Sequence, residues 1–267
     1  MKQNIEYAKK HLDEHPFARY STAYVATNED LRNALKCMPK DTTRALTVAA
    51  SGDHPMFAKL YGAKYVDTFD ISFNARLIMD IKTHALSLLN YEEYRKLLIC
   101  LYFSQNITSI ENMPQIIERL TTFEQKYIKE IQGNRLFNKQ IHLSSISFPT
   151  ETEFQKMQQN INKPFKFIWS DLQTLHTKLT KTYDFIHLSN IFDYLGTYQD
   201  CIDVLNSLVS YTNPGCKICI TCFVKDAEAI CEKFVWNQAM QTLNGQEWRG
   251  NPVHEIKNCT CVLHRVR

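Results

Sequence analysis

Glycine is scarce in this chain, with 7 among 267 residues. No G-x-G-x-x-G spacing occurs, so the pyrophosphate cradle of dinucleotide folds is not indicated. There is no apolar run of about 18 residues, the length a helix needs to cross a bilayer. Met1–Tyr20 is polar and mixed in charge and lacks the apolar stretch of a secretory leader. Net charge is only +3, too little for the electrostatic footprint of a nucleic-acid binder. Repeats and low-complexity segments are also missing. These absences predict a cytoplasmic protein with no transmembrane segment and no nucleic-acid partner.

What is present is an ordinary globular composition, 44% hydrophobic and 22% charged, on a chain long enough to bury a large core. The nine cysteines would suggest disulfides in a small secreted chain, but without a leader reduced thiols are expected. Cys216, Cys219 and Cys222 have a C-x2-C-x2-C spacing. The segment alternates like a buried strand, which sends Cys216 and Cys222 to one face and Cys219 to the other, so the three cannot share a metal. His54, His142 and His187 have no partner recognisable from sequence, and no metal site is expected.

The hydrophobic pattern predicts strands at Arg44–Ala50, Tyr65–Ile71, Phe165–Trp169, Tyr183–Leu188, Lys217–Val224 and Cys259–Val266. Helices are predicted at Asn28–Leu35, capped by Thr27 or Asn28, and at His54–Tyr61 and Asn74–Leu89. A further helix, Tyr198–Tyr211, is ended by "TNPG". Residues 91–140 keep a helical pattern throughout and read as a helical insertion, and helix resumes near Thr150–Asn160. This alternation predicts an α/β fold with a mostly parallel, Rossmann-like sheet. A single domain over 1–267 is expected, with an N-terminal helical segment at 1–40 and the insertion at 91–140.

In such sheets ligands bind at the carboxyl ends of the strands. "AASGD" ends the first strand, and there Ala50, Ser51, Gly52 and Asp53 form a loop that a ligand can approach without meeting a Cβ at Gly52. Asp70, followed by Ile71, ends the second strand, where a carboxylate can accept from two ribose hydroxyls. Asp171 can accept from an adenine amino group while Leu172 packs on the ring. Ser189 and Asn190 end the strand beside the first. S-adenosylmethionine (SAM) fits this set, having a ribose and an amino-acid tail but no phosphate. Asn190, Asp193 and Tyr194 are candidates at the reacting end. Tyr20 and Tyr24 are candidates to close an aromatic face over the sulfonium. The plainer readings are a turn glycine at 52, helix caps at Asp70 and Asp193, a surface acid at 171, and packing roles for the tyrosines.

Between Arg44 and Val224 the sequence resembles class I SAM-dependent transferases. It resembles more closely the BtaA-like family, SAM:diacylglycerol 3-amino-3-carboxypropyltransferases. The matching stretches are "LTVAASGDHP", "VDTFDISFNA" and "IKTHALSLLNYEEYRKLL", with weaker likeness in "LSNIFDYL" and "ARYSTAYVATNEDL". His54 stands where the family often has Asn, and Tyr24 where it has Trp. The resemblance implies a class I fold, SAM as cofactor, transfer of the 3-amino-3-carboxypropyl group to an acceptor or its cyclisation, and release of methylthioadenosine. It also implies a lipid acceptor, but this chain has no basic amphipathic membrane helix, so a small-molecule acceptor is expected. Two alternatives stay open: a small-molecule methyltransferase on the same fold, and a non-catalytic nucleoside-binding or interaction protein.

Overall fold

The computed structural model describes residues 24–27, 29–102, 110–130, 148–161, 165–195, 197–222, 240–243, 246–252 and 259–265. They fall into two compact units. One takes residues up to 28, 49–56 and 70–169; the other takes 29–48, 57–69 and 170 onward.

The second unit is built on a sheet. Its strands are β1 (Arg44–Val48), β2 (Tyr65–Asp70, whose last residue falls in the first unit), β4 (Tyr183–Ser189), β5 (Thr212–Cys222), β6 (Met240–Leu243), β7 (Gln246–Pro252) and β8 (Cys259–Arg265). β1 lies between β2 and β4, parallel to both, and β5 runs parallel to β4 on its far side. β8 is antiparallel to β5, followed by the antiparallel pairs β8–β7 and β7–β6. Ala45, Leu46, Thr47 and Val48 of β1 are buried, as are Phe185, Ile186, His187 and Leu188 of β4. Burial on both faces is why these segments read as continuous apolar runs rather than alternating ones. The strand order reverses between β1 and β4, and in open α/β sheets that switch point is where ligands bind.

Polar side chains, Asp67 buried and Asp184 half-buried, tie the other end of these strands. Asp67 of β2 accepts from the Tyr183 hydroxyl at 2.9 Å and from Arg44 at 3.0 Å. Asp184 accepts the backbone N–H groups of Thr43 and Arg44 and the Asn213 amide. α1 (Leu31–Leu35) and α8 (Tyr198–Val209) also belong to this unit, whereas α2 (Asp53–Leu60) runs across the boundary of the two.

The first unit is mostly helical: α3 (Phe73–Leu88), α4 (Tyr91–Tyr102), α5 (Met113–Arg119), α6 (Thr122–Glu130) and α7 (Glu151–Asn160), with the short strand β3 (Lys166–Trp169). Four of these five helices start at a local side-chain cap. Ser72 caps α3, Asn90 and Glu93 exchange side-chain and backbone bonds at α4, and Thr121 with Glu124 and Thr150 with Glu153 do the same at α6 and α7. The amide of Gln158 donates to the carbonyls of Leu86 and Leu89, satisfying acceptors left over at the end of α3. Tyr94, Leu97, Leu98, Leu101, Met113, Ile116, Phe154 and Met157 form the apolar interior of this bundle. Among the described residues no helix is long and apolar enough to cross a membrane.

The α/β class and the mostly parallel central strands agree with the sequence reading. Several details differ. α1 starts at Leu31 and is capped by Asp30, which accepts from Asn33 N–H; Asn28 lies outside the described residues. "TNPG" does not lie outside the sheet, because β5 begins at Thr212. The pairing with β4 jumps from Tyr183↔Thr212 to Phe185↔Lys217, and Gly215 takes a φ of 79° in the extra stretch. β6 and β7 were not foreseen, since "MQTL" and "QEWRGNP" show little apolar alternation. The Asn-Gly dipeptide at 244–245, itself outside the described residues, is the hairpin signal that could have found them. Of the helical insertion, residues 103–109 and 131–147 lie outside the described residues, as do Gly133 and His142.

Removing the Tyr183 hydroxyl leaves a buried Asp67 oxygen without its donor. Tyr183→Phe is therefore expected to cost about 1–3 kcal/mol in urea unfolding. A loss below a few tenths would show that this tie does not hold the strands.

Candidate functional site

The loop after β1 is held by charges that the outer solvent does not reach. Asp53 is 3% exposed and Lys82 of α3 is wholly buried, with Nζ 2.6 Å from Oδ1 of Asp53. The other carboxylate oxygen accepts the Thr27 N–H at 2.7 Å and the Ser51 hydroxyl at 2.8 Å. Burial pushes the Lys82 amine below the usual lysine range, and the Asp53 charge pulls it back up. An ion pair in this setting contributes most when its other lone pairs are satisfied, as those of Asp53 are. Asp53, expected to face a cofactor, is thus engaged in holding its own loop.

Gly52 has a φ of 79°, and its N–H meets the Ala49 carbonyl at 2.6 Å. A Cβ at this position would come within 2.8 Å of the Met79 Cα. The close approach that requires glycine here is therefore that of α3. Ala50 is also left-handed, with a φ of 44°, although it is not glycine. Such strain persists only where neighbours impose it. Here the Ala50 N–H donates to Oδ2 of Asp70 at 3.0 Å.

Asp70 ends β2 as a half-buried carboxylate, its Oδ1 accepting the Ser72 N–H at 2.9 Å. The N-cap of α3 is Ser72, so Asp70 is not the helix cap. The Ile71 N–H also acts on this carboxylate, which keeps acceptor capacity for one further donor. Desolvation pushes its pKa up to about 6, against the pull of the Ser72 and Ala50 N–H bonds. Ser51 is buried, Ile71 and Tyr24 are half-buried, and Tyr20 lies outside the described residues.

In the second unit the end of β4 carries a second strained residue, Ser189, with a φ of 55°. Its hydroxyl donates to Oε1 of Glu29. The other Glu29 oxygen lies 3.6 Å from Nε2 of His187, and all three residues are buried. Sequence reading missed Glu29 altogether, because one acid among the polar residues before a helix looks like an ordinary first-turn charge. Asn190 opens the 3-10 turn Ile191–Tyr194, its carbonyl accepting the Asp193 N–H at 3.0 Å. Asp193 does not cap α8; the Thr197 hydroxyl does, accepting from Asp200 N–H. Tyr194 is 69% exposed and so is not a core aromatic.

Asp171 is held locally, accepting the Thr174 N–H and hydroxyl, each at 2.7 Å. Partial burial raises its pKa, but these bonds outweigh burial and leave it below the usual carboxylate range. Leu172 beside it is buried. Cys216 and Cys219 are both buried, and neither is in a disulfide in this structure.

No family model matches the sequence, and no curated protein matches it. Solved structures do resemble it. The N-methyltransferase NodS from Bradyrhizobium japonicum WM9 in complex with S-adenosyl-L-homocysteine is 11% identical, with a TM-score of 0.41 over 96% of this chain and 90% of that one. A ribosomal protein L11 methylase from Lactobacillus delbrueckii subsp. bulgaricus is 10% identical, with a TM-score of 0.42 over 89% and 77%. TehB from Haemophilus influenzae is 11% identical, with a TM-score of 0.40 over 94% and 66%. At such identity and TM-score none of them assigns an activity to this chain.

Lys82→Met strands the Asp53 carboxylate in the interior. It is expected to cost about 3–5 kcal/mol in urea unfolding, and adding Asp53→Asn should recover part of that loss. A double variant no more stable than Lys82→Met would show that charge imbalance is not the cause. Gly52→Ala should lower the melting temperature for a separate reason, since backbone atoms of Met79 cannot move aside as a flexible side chain can. An unchanged melting temperature would remove Met79 as the reason for glycine.

Proposed function

We propose that this chain is an SAM-dependent transferase. The observation that carries the reading is Asp70, a half-buried acceptor at the carboxyl end of β2. Its orientation is set by the backbone N–H groups of Ala50, Ile71 and Ser72, and it keeps acceptor capacity for a further donor. A ribose hydroxyl supplies a matching donor. The loop from Ala50 to Gly52, bonded to the same carboxylate through Ala50, is assigned to the amino-acid tail. In this reading Ile71 flanks the nucleoside, Asp171 and Leu172 take the adenine, and Tyr24 and Tyr20 take the sulfonium. Ser189, Asn190, Asp193 and Tyr194 serve the reacting end. Asp53 and Lys82 act as positioning residues, since they shape the loop and leave no oxygen of Asp53 without a protein donor.

The chemistry asked of such a site is modest. The sulfonium already carries its leaving group, so the protein aligns an acceptor with one carbon of SAM and excludes water. Asp193 is assigned as base for an acceptor amine or hydroxyl. Methyl transfer is the leading reading, and the parallel sheet with its antiparallel β8 supports a SAM-dependent transferase of either kind. Transfer or cyclisation of the aminocarboxypropyl group, as in the BtaA-like family, rests on the motif resemblance alone. A small-molecule acceptor and a cytoplasmic setting belong to the same proposal.

Incubation with SAM and a cell extract, followed by mass spectrometry of the nucleosides, tests the reading. S-adenosylhomocysteine above the no-protein control supports methyl transfer, and methylthioadenosine supports γ-carbon chemistry. Binding of SAM with neither product would reduce the chain to a nucleoside-binding protein.

The carboxylate of Asp70 adds a pH test. Its folded pKa of about 6 lies above the unfolded value near 4, so the folded state holds more protons between these limits. This group therefore stabilises the fold at acid pH, and its contribution falls as pH rises through that window. SAM binding should run the opposite way, weakening as pH drops below about 6 and the acceptor is protonated. Asp70→Asn should weaken SAM binding at least about tenfold and flatten that pH dependence, with some loss of melting temperature because its NH2 replaces an oxygen that accepts a backbone N–H. Unchanged affinity in a folded Asp70→Asn variant would overturn the ribose assignment.

A further inference from the structure

Two thiols of the second unit converge on one backbone oxygen. Cys37, just past α1, donates to the Ala34 carbonyl at 2.9 Å, and Cys219 of β5 approaches the same carbonyl at 3.7 Å. The Cys219 thiol is near enough to lower the pKa of Cys37. Cys219 is wholly buried, whereas Cys37 is half-buried and open to a small solute. Cys219 is the register partner of His187, so the two side chains share a face of the sheet. That face also receives Glu29, whose carboxylate holds Ser189.

We propose that Cys37 and Cys219 are a redox-closable pair, in which a peroxide oxidises Cys37 and Cys219 resolves it to an intrachain disulfide. The Cys37 sulfur attacks one peroxide oxygen and the O–O bond breaks. The departing hydroxide takes a proton and leaves as water, so that Cys37 is now a sulfenic acid. The Cys219 sulfur gives up its proton and attacks the Cys37 sulfur. The S–S bond forms, the S–O bond breaks, and the second water leaves. Two thiols are oxidised and one peroxide is reduced to two waters.

The order of the steps follows from the surroundings. The nearby Cys219 thiol holds the Cys37 thiol below its usual range, burial opposes this, and the Lys217 charge assists it. Cys216 is unsuited to either role. It lies three residues from Cys219, on the other face of the strand, and burial together with the Asp184 charge pushes its thiol well up. The closed bond ties the end of α1 to β5 in the layer that positions Ser189.

The test is stepwise oxidation of the full chain with hydrogen peroxide, blocking of remaining thiols with a maleimide, and peptide mapping by mass spectrometry. A peptide linking Cys37 to Cys219, two hydrogen atoms lighter than its parts and lost on treatment with dithiothreitol, is expected before other cysteines react. In Cys219→Ser, Cys37 should stop at a sulfenic acid trapped by dimedone, while Cys216→Ser should leave the linked peptide unchanged. Linkage of Cys37 to another cysteine, or its conversion to sulfinic acid in the unmodified sequence with no link, would overturn the proposal. The peptide map of the unmodified sequence decides the matter even if a variant fails to fold, and it does not depend on SAM binding.

Discussion

The buried contact between Lys82 and Asp53 is the constraint on which the loop after β1 depends. A charge pair without solvent is stabilising only if it is placed well, and misplacing either member leaves an unpaired charge in the interior. Here the carboxylate also gathers the Thr27 N–H and the Ser51 hydroxyl. Four points of the chain, at 27, 51, 53 and 82, are thereby held about one carboxylate. Gly52, lying between two of them, is pressed against Met79, and Ala50 is left in a conformation that alanine does not choose. The strain at Ala50 has a use, since it turns a backbone N–H toward Asp70.

Two carboxylates of the candidate set show how environment divides one residue type into different roles. Asp70 and Asp171 are each held by several hydrogen bonds. Desolvation dominates at Asp70 and moves its pKa upward, into the range where an acceptor can be switched by pH. At Asp171 the hydroxyl and N–H of Thr174 dominate and move it downward, keeping it charged. The difference lies in how much water each retains and in the Thr174 hydroxyl that Asp171 has and Asp70 lacks.

The end of β4 repeats the logic of the loop with other residues. Ser189 is strained, and the buried acid that holds it and faces His187, Glu29, comes from a distant part of the chain. The proposed thiol pair lies in the same layer of the second unit. A chemical change there would act on the face of the sheet that carries Ser189, because neighbouring parallel strands place register partners side by side.

The sequence by itself determined the α/β class, since strands buried on both faces must be continuous apolar runs, and it determined most helix starts, since caps are local chemistry at fixed spacing. It also picked out Gly52 and Asp70 as unusual residues at strand ends. Only the tertiary structure decided what those residues meet. That Gly52 makes room for Met79, that Asp53 is committed to Lys82, and that Glu29 reaches Ser189 and His187 are contacts between residues far apart in the chain. The hairpin of β6 and β7 was hidden for the related reason that its strands carry little apolar alternation, so that pairing rather than composition defines them. Periodicity and capping are read within a few residues, but a buried charge is matched by whatever side chain the fold brings to it, and no local pattern names that partner.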